Sequence, residues 1–127
     1  MPWTYSQTTG QMLDPNGNLV ATGYSGLDVP GGLQGKNNPD AENVPNVGPT
    51  PRGTYQIGPA FDSNDHGPIV MHLVPEPGTD TLGRSGFLIH GDSVHAPGTA
   101  SHGCVIMPRP VREAIAASPD RELEVTV

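Results

Sequence analysis

The apolar residues of this 127-residue chain fall into short, mostly alternating runs, and turn-forming residues separate them. Trp3, Tyr5 and Gln7 alternate with Thr4 and Ser6, which predicts a first strand. Asp14-Pro15-Asn16-Gly17 is a turn signal, so Leu19 to Thr22 is expected to return beside that strand as an N-terminal hairpin. From Gly23 to Gly48 there is little periodicity, which predicts a long ordered loop of the kind that carries function. Tyr24-Ser25-Gly26 and Gly35 to Pro39 are its polar stretches; they read either as part of a pocket wall or as solvated loop. Pro49 to Arg52 forms a rigid turn into a short strand with Tyr55 and Ile57 on one side. Ile69, Met71 and Leu73 alternate with Val70, His72 and Val74, so both faces carry apolar residues, as in an interior strand. His72 is expected there as a satisfied structural histidine, and His66, among Asp65, Gly67 and Pro68, as a turn residue.

Phe87-Leu88-Ile89-His90 predicts a short apolar strand, and Gly91 to Ala100 a loop broken by Pro97 and Gly98. Cys104 to Met107 starts another strand, ended by Pro108 and Pro110, and Pro110 suits the first turn of a helix. Val111, Ala114 and Ile115 mark one apolar helical face through Ala117, and Ser118-Pro119-Asp120 stops it. Leu123, Val125 and Val127 alternate with polar residues, a half-buried final strand. The sum is a mainly β fold with long loops and one short C-terminal helix, expected to form a single domain over residues 1–127.

Composition adjusts this picture in two places. With 17 glycines, 15 prolines and 34% apolar residues the chain approaches the range of disordered sequences. Here, however, the glycines and prolines punctuate apolar runs, which favours an ordered, turn-rich domain. The net charge of −7, with six Lys and Arg in all, argues against a nucleic-acid or anionic-membrane partner. No run approaches the roughly 20 apolar residues of a membrane span. The start, MPWTYSQTTG, lacks the basic and apolar regions of a Sec signal. The expectation is synthesis in the cytoplasm, with any export by another route. Five of the six cations are arginines. Arg84, Arg109 and Arg112 lie near the next segment, each either a clamp for a substrate carboxylate or a surface charge.

That segment is His90 to Cys104, HGDSVHAPGTASHGC, which holds the only cysteine and three of the five histidines. A lone thiol forms no intrachain disulfide, and a merely buried one requires no His-Gly before it. Gly103 permits close backbone approach, and the N–H groups of Gly103 and Cys104 are candidates to receive a developing oxyanion. His90, returned across the loop, is placed to act as base to a Cys104 thiolate nucleophile, and its imidazole is expected to lower the thiol pKa. Asp92 reads equally as a hold on a substrate amine or a pin for the loop, and His95 as a polar loop residue.

Ser101-His102-Gly103-Cys104, preceded by His90-Gly91, resembles the active-site motif of L,D-transpeptidases of the YkuD type. Thr50-Pro51-Arg52-Gly53-Thr54-Tyr55 resembles the strand opening of the same family. A resemblance covering nearly the whole chain is to the Tlde1-like L,D-transpeptidase effectors delivered by type VI secretion. It is carried by Trp3-x-Tyr5, Thr9-Gly10, Gly23 to Gly26, Lys36 to Pro39, Gly83 to Phe87 and His90-Gly91-Asp92. The resemblance implies a YkuD-like β-sandwich or barrel that needs no metal or cofactor. It implies an L,D-carboxypeptidase or L,D-transpeptidase, with D-amino-acid exchange, acting on peptidoglycan tetrapeptide stems through an acyl-enzyme. Cys104 would be the nucleophile, His90 the general base, and Gly91 the residue whose carbonyl orients the imidazole. Ser101, His102 and Gly103 would shape the site, with Tyr24, Ser25, Arg84 and Asp92 on the substrate-binding side. It further implies an antibacterial toxin acting in the periplasm of a target bacterium, with secretion machinery and a cognate immunity protein as partners. A monomer is the default. Two departures stand out: the His90–Ser101 loop is shorter than in typical YkuD enzymes, and Val-Ile-Met-Pro follows Cys104 in place of Val-Arg-Leu.

Three rivals remain. His90, Asp92, His95, His102 and Cys104 are possible zinc ligands of a metal-dependent cell-wall amidase or peptidase, although no helical His-x-x-x-His or Cys-x-x-Cys pair is present. In a papain-like peptidase the cysteine precedes its histidine and opens a helix, the reverse of this order. A non-catalytic wall-binding β-module would leave Cys104 as a core residue or a relic.

Overall fold

A computed structural model covers residues 1–127. Its strands are β1 (Trp3–Ser6), β2 (Gln11–Leu13), β3 (Leu19–Thr22), β4 (Tyr24–Ser25), β5 (Gly53–Ile57), β6 (Phe61–Ser63), β7 (Gly67–Pro75), β8 (Leu88–His90), β9 (Val105–Ile106) and β10 (Glu122–Thr126). The one α-helix, α1, spans Arg109–Ala117. No helix is long and apolar enough to cross a membrane. The strands form one sheet in the order β3-β2-β1-β10-β5-β7-β8-β9-β4, with β6 beside β7. β3 and β4 follow each other in the chain yet lie at opposite ends of this order, so the sheet curls into a nearly closed barrel. Gly23 makes the junction. Its N–H donates to Gly10 O at 2.8 Å, and a Cβ there would lie only 1.8 Å from Ile106 O, so only glycine fits.

The alternation read from the sequence sets the core. Trp3 and Tyr5 pair in parallel with Leu123 and Val125, and all four are buried with Tyr55 and Ile57 of β5. Tyr55 meets Phe87 edge to face at 6.0 Å, which seats the segment leading into β8. α1 covers the barrel through Val111 and Ile115.

Several expectations need correction. The N-terminal unit is a three-stranded meander: β1 pairs with β2, and the Asp14–Gly17 turn joins β2 to β3. Gln7 lies beyond β1, its amide donating to Glu42 and to Thr50 O. The Gly23–Gly48 segment contains β4 and a short 3-10 turn at Pro39–Ala41. β6 was not foreseen. His72, expected on an interior strand, is exposed and stacks on Phe61 at 4.9 Å. Ala114 is exposed, and the buried neighbour of Val111 is Arg112. Its guanidinium donates to Met107 O, Pro68 O and Ile69 O, which satisfies the charge without a carboxylate.

Candidate active site

β8 and β9 are adjacent parallel strands, with Ile89 beside Val105 and His90 beside Ile106. Their apolar residues suit strands covered on both faces. His90 ends β8, and Cys104 lies in the bend immediately before β9. Both line one cleft of about 490 Å³, together with His66, Arg84, Phe87 and His102. That volume lies in the range of small-molecule sites. A larger hollow of about 700 Å³ around Glu42, Arg52, Glu76 and Asp80 contains neither a thiol nor an imidazole.

His90 is 2% exposed. Its Nδ1 lies 2.8 Å from Gly91 O. A carbonyl can only accept, so Nδ1 carries the ring proton and Nε2 is left with a bare lone pair. Nε2 is buried and has no protein hydrogen-bond partner. Burial pushes the imidazole pKa below the ordinary histidine value. The Gly91 carbonyl opposes this, whereas the charges of His66 and Arg112 add to it. The resting base is therefore neutral at neutral pH, with an acceptor ready.

Cys104 is half-buried, its Sγ 4.0 Å from Gly86 O. Burial pushes its thiol pKa up, and the Leu88 N–H and the Arg84 guanidinium offset this only in part. The expectation that the imidazole lowers the thiol pKa is therefore corrected. A neutral imidazole carries no charge to stabilise a thiolate, and desolvation prevails. The resting pair is thiol and neutral imidazole.

The turn before Cys104 is held from behind. The Ser101 hydroxyl accepts from Gly26 N at 2.9 Å and Gly103 N at 3.2 Å, and donates to Cys104 O at 2.6 Å. Gly103 O accepts from the Thr50 hydroxyl and, at 3.4 Å, from Ser25. Gly103 has φ +130°, and a Cβ there would lie 2.4 Å from Arg84 Nη2. Of the two amides considered for an oxyanion, Gly103 N–H is engaged by Ser101. Cys104 N–H has no protein acceptor and stands beside the thiol. His102 is exposed on the cleft wall.

The structure sorts the remaining residues. Arg84 is buried, and its Nη atoms donate to Glu42 O, Pro49 O and Gly48 O, so it ties the 42–49 loop under Gly103 rather than standing free for a carboxylate. Ser25 is fully buried behind the Gly103 carbonyl, not on a pocket wall. Tyr24 donates to Asp92 at 2.6 Å and accepts from Ala100 N at 2.9 Å. Asp92 also accepts from Ser93 N and Gly98 N, so it pins its loop. Burial pushes its carboxyl up, but Tyr24, these amides and Lys36 outweigh that and hold it below the usual range. Arg109 is exposed, with Glu113 at 4.0 Å. His95 lies in the exposed loop.

No three His, Cys, Asp or Glu side chains converge as a metal-holding group, so the cluster proposed for the zinc rival is not assembled. Three contributors were missed in the sequence. Thr50 stood inside a quoted motif without a role. Arg112 and His66 carry no local signal, because each is defined by what packs on it from another segment.

A family model described as the Tlde1 domain matches residues 20–126. No curated protein matches the sequence.

Proposed function

The chain belongs to the Tlde1 domain family, and on that premise we propose that it is a cysteine-dependent L,D-carboxypeptidase and L,D-transpeptidase of peptidoglycan stem peptides. The family places it among type VI secretion effectors with cell-wall-related activity. The observation that carries the finer reading is the buried, bare Nε2 of His90 in the same cleft as the Cys104 thiol. A buried base nitrogen without a partner costs stability, and taking up the thiol proton during reaction accounts for its being kept.

In the proposed reaction the carbonyl that follows the L-centre of diaminopimelate enters the cleft above Cys104. His90 Nε2 removes the thiol proton as Sγ attacks, so charge appears only as the new bond forms. The Cys104 N–H receives the developing oxyanion. The imidazolium then gives its proton to the departing D-alanine amine, leaving a thioester. Water or an amine, deprotonated by the same Nε2, releases the acyl group and restores the thiol. Gly91 O keeps Nδ1–H in place throughout and stabilises the transient imidazolium. Ser101, Thr50 and Ser25 hold the turn that presents Cys104.

We further propose that residues 1–127 act as one catalytic domain, monomeric, in the periplasm of a target cell, with an immunity protein as natural partner. The test is digestion of tetrapeptide muropeptides, with products resolved by mass. Wild type is expected to release D-alanine or exchange it for another D-amino acid, and Cys104→Ala and His90→Ala are expected to do neither. Two variants as active as wild type would overturn the mechanism.

A further inference from the structure

His66 has no step in the reaction above, yet it stands against the base. It ends the turn at residues 64–66 that joins β6 to β7. Its ring lies on that of His90, with centroids 4.3 Å apart and planes at 28°. It lines the cleft that holds Cys104 and also a second cavity, of about 650 Å³, that His90 and His102 share.

The backbone that delivers this ring is strained. Ile69 has φ +57° just after Gly67 at φ +83°. A β-branched residue in the left-handed region is an outlier that survives only when its surroundings hold it, and such strain gathers at functional sites. Here the hold is Arg112. Its guanidinium donates to Pro68 O and Ile69 O on the His66 side and to Met107 O beyond Cys104. It also lies against Gly91, where a Cβ would be 2.7 Å from Nη2. One buried cation thus braces the turn carrying His66 and the residue whose carbonyl holds His90 Nδ1.

We infer that His66 is a positioning residue: its stacked ring fixes the plane of the His90 imidazole so that Nε2 faces the thiol. This rests on the reading of His90 as general base. A positive charge on the stacked His66 ring disfavours protonation of His90. The other charges around His90 are Arg112 from α1 and Asp92 from the following loop. His66 itself has Asp65 beside it and His102 on the same cleft wall. Of these, only His66 is a titratable group stacked on the base.

The experiment compares wild type, His66→Phe and His66→Ala, with melting curves to confirm folding. One readout is the titration of the His90 ring followed by NMR, which needs no turnover. The other is the pH dependence of kcat and KM on a tetrapeptide stem. His66→Ala is expected to lower kcat by roughly tenfold or more with little change in KM, because the base loses its fixed plane. His66→Phe keeps an aromatic ring and restores most of that loss. Having no second charge, it moves both the His90 titration and the acid limb of kcat/KM to higher pH. A His90 titration unmoved in His66→Phe would overturn the inference, as would wild-type kcat in His66→Ala. If wild type does not process the stem, or His90→Gln matches it, the general-base reading fails instead. The NMR titration separates the two failures.

Discussion

Replacing Gly103 with alanine tests whether the turn before Cys104 is built as described. At φ +130° a side chain is strained, which costs ~1–3 kcal/mol. The added Cβ also lies 2.4 Å from Arg84 Nη2, so the guanidinium must shift. It is anchored by bonds of 2.6, 2.8 and 3.0 Å to Glu42 O, Pro49 O and Gly48 O. Losing one such charged hydrogen bond costs ~1.5–3 kcal/mol. Together these give a loss of ~2.5–6 kcal/mol, a large share of the ~5–15 kcal/mol by which domains are stable. At ~3–6 °C per kcal/mol, Tm should fall by ~8–36 °C. The assay is urea and thermal unfolding of wild type, Gly103→Ala, Arg84→Met and the double variant. The Cβ has less to displace once the guanidinium is gone, so the double variant should be ~1–2 kcal/mol more stable than the sum of the singles implies. A Gly103→Ala protein within ~1 kcal/mol of wild type, or strict additivity, would refute the reasoning.

Three other outcomes are expected. Alkylation of Cys104 by iodoacetamide should inflect above the ordinary thiol range; His90→Gln should leave that inflection nearly in place, whereas Arg84→Gln should raise it further, because Arg84 favours the thiolate. The folded His90 pKa lies below its unfolded value, so its contribution to stability is present above the ordinary histidine pKa and is lost as pH falls through the folded one. Wild type should therefore lose stability in that acidic window, and unfolding of His90→Gln should show a shallower slope there. Tyr24→Phe removes the acceptor of Ala100 N–H and a donor to Asp92, so hydrogen exchange at Ala100 should quicken while the barrel amides keep their protection.

What the sequence revealed follows the range of the interactions involved. The alternations Trp3/Tyr5, Tyr55/Ile57 and Leu123/Val125 report burial directly, because each strand's own period fixes which side chains face inward. Closure of the barrel was legible only through the family resemblance, since it depends on Gly23 meeting Ile106, residues far apart in the chain. β6 escaped because Phe61-Asp62-Ser63 has one apolar residue and pairs only on the edge of β7. That Cys104 and His90 share a cleft was legible because the one cysteine follows Ser101-His102-Gly103 and His90-Gly91 closes the apolar run upstream. The pair's resting ionisation was not, because desolvation of Sγ depends on the walls around it. Arg84 and Arg112 read as surface or substrate charges, since an arginine satisfied by backbone carbonyls of other segments leaves no local pattern. His66 read as a turn residue and is one; its partner across the cleft is a tertiary fact.

The central claim is that the Cys104 thiol is acylated by the stem peptide. The most direct measurement is the intact mass of the protein quenched in acid during reaction with a tetrapeptide stem. A species heavier by the tripeptide acyl group, mapped to Cys104 and formed as D-alanine is released, is the predicted result. Release of D-alanine by Cys104→Ala at the wild-type rate, or an acyl group mapped to any other residue, would contradict it.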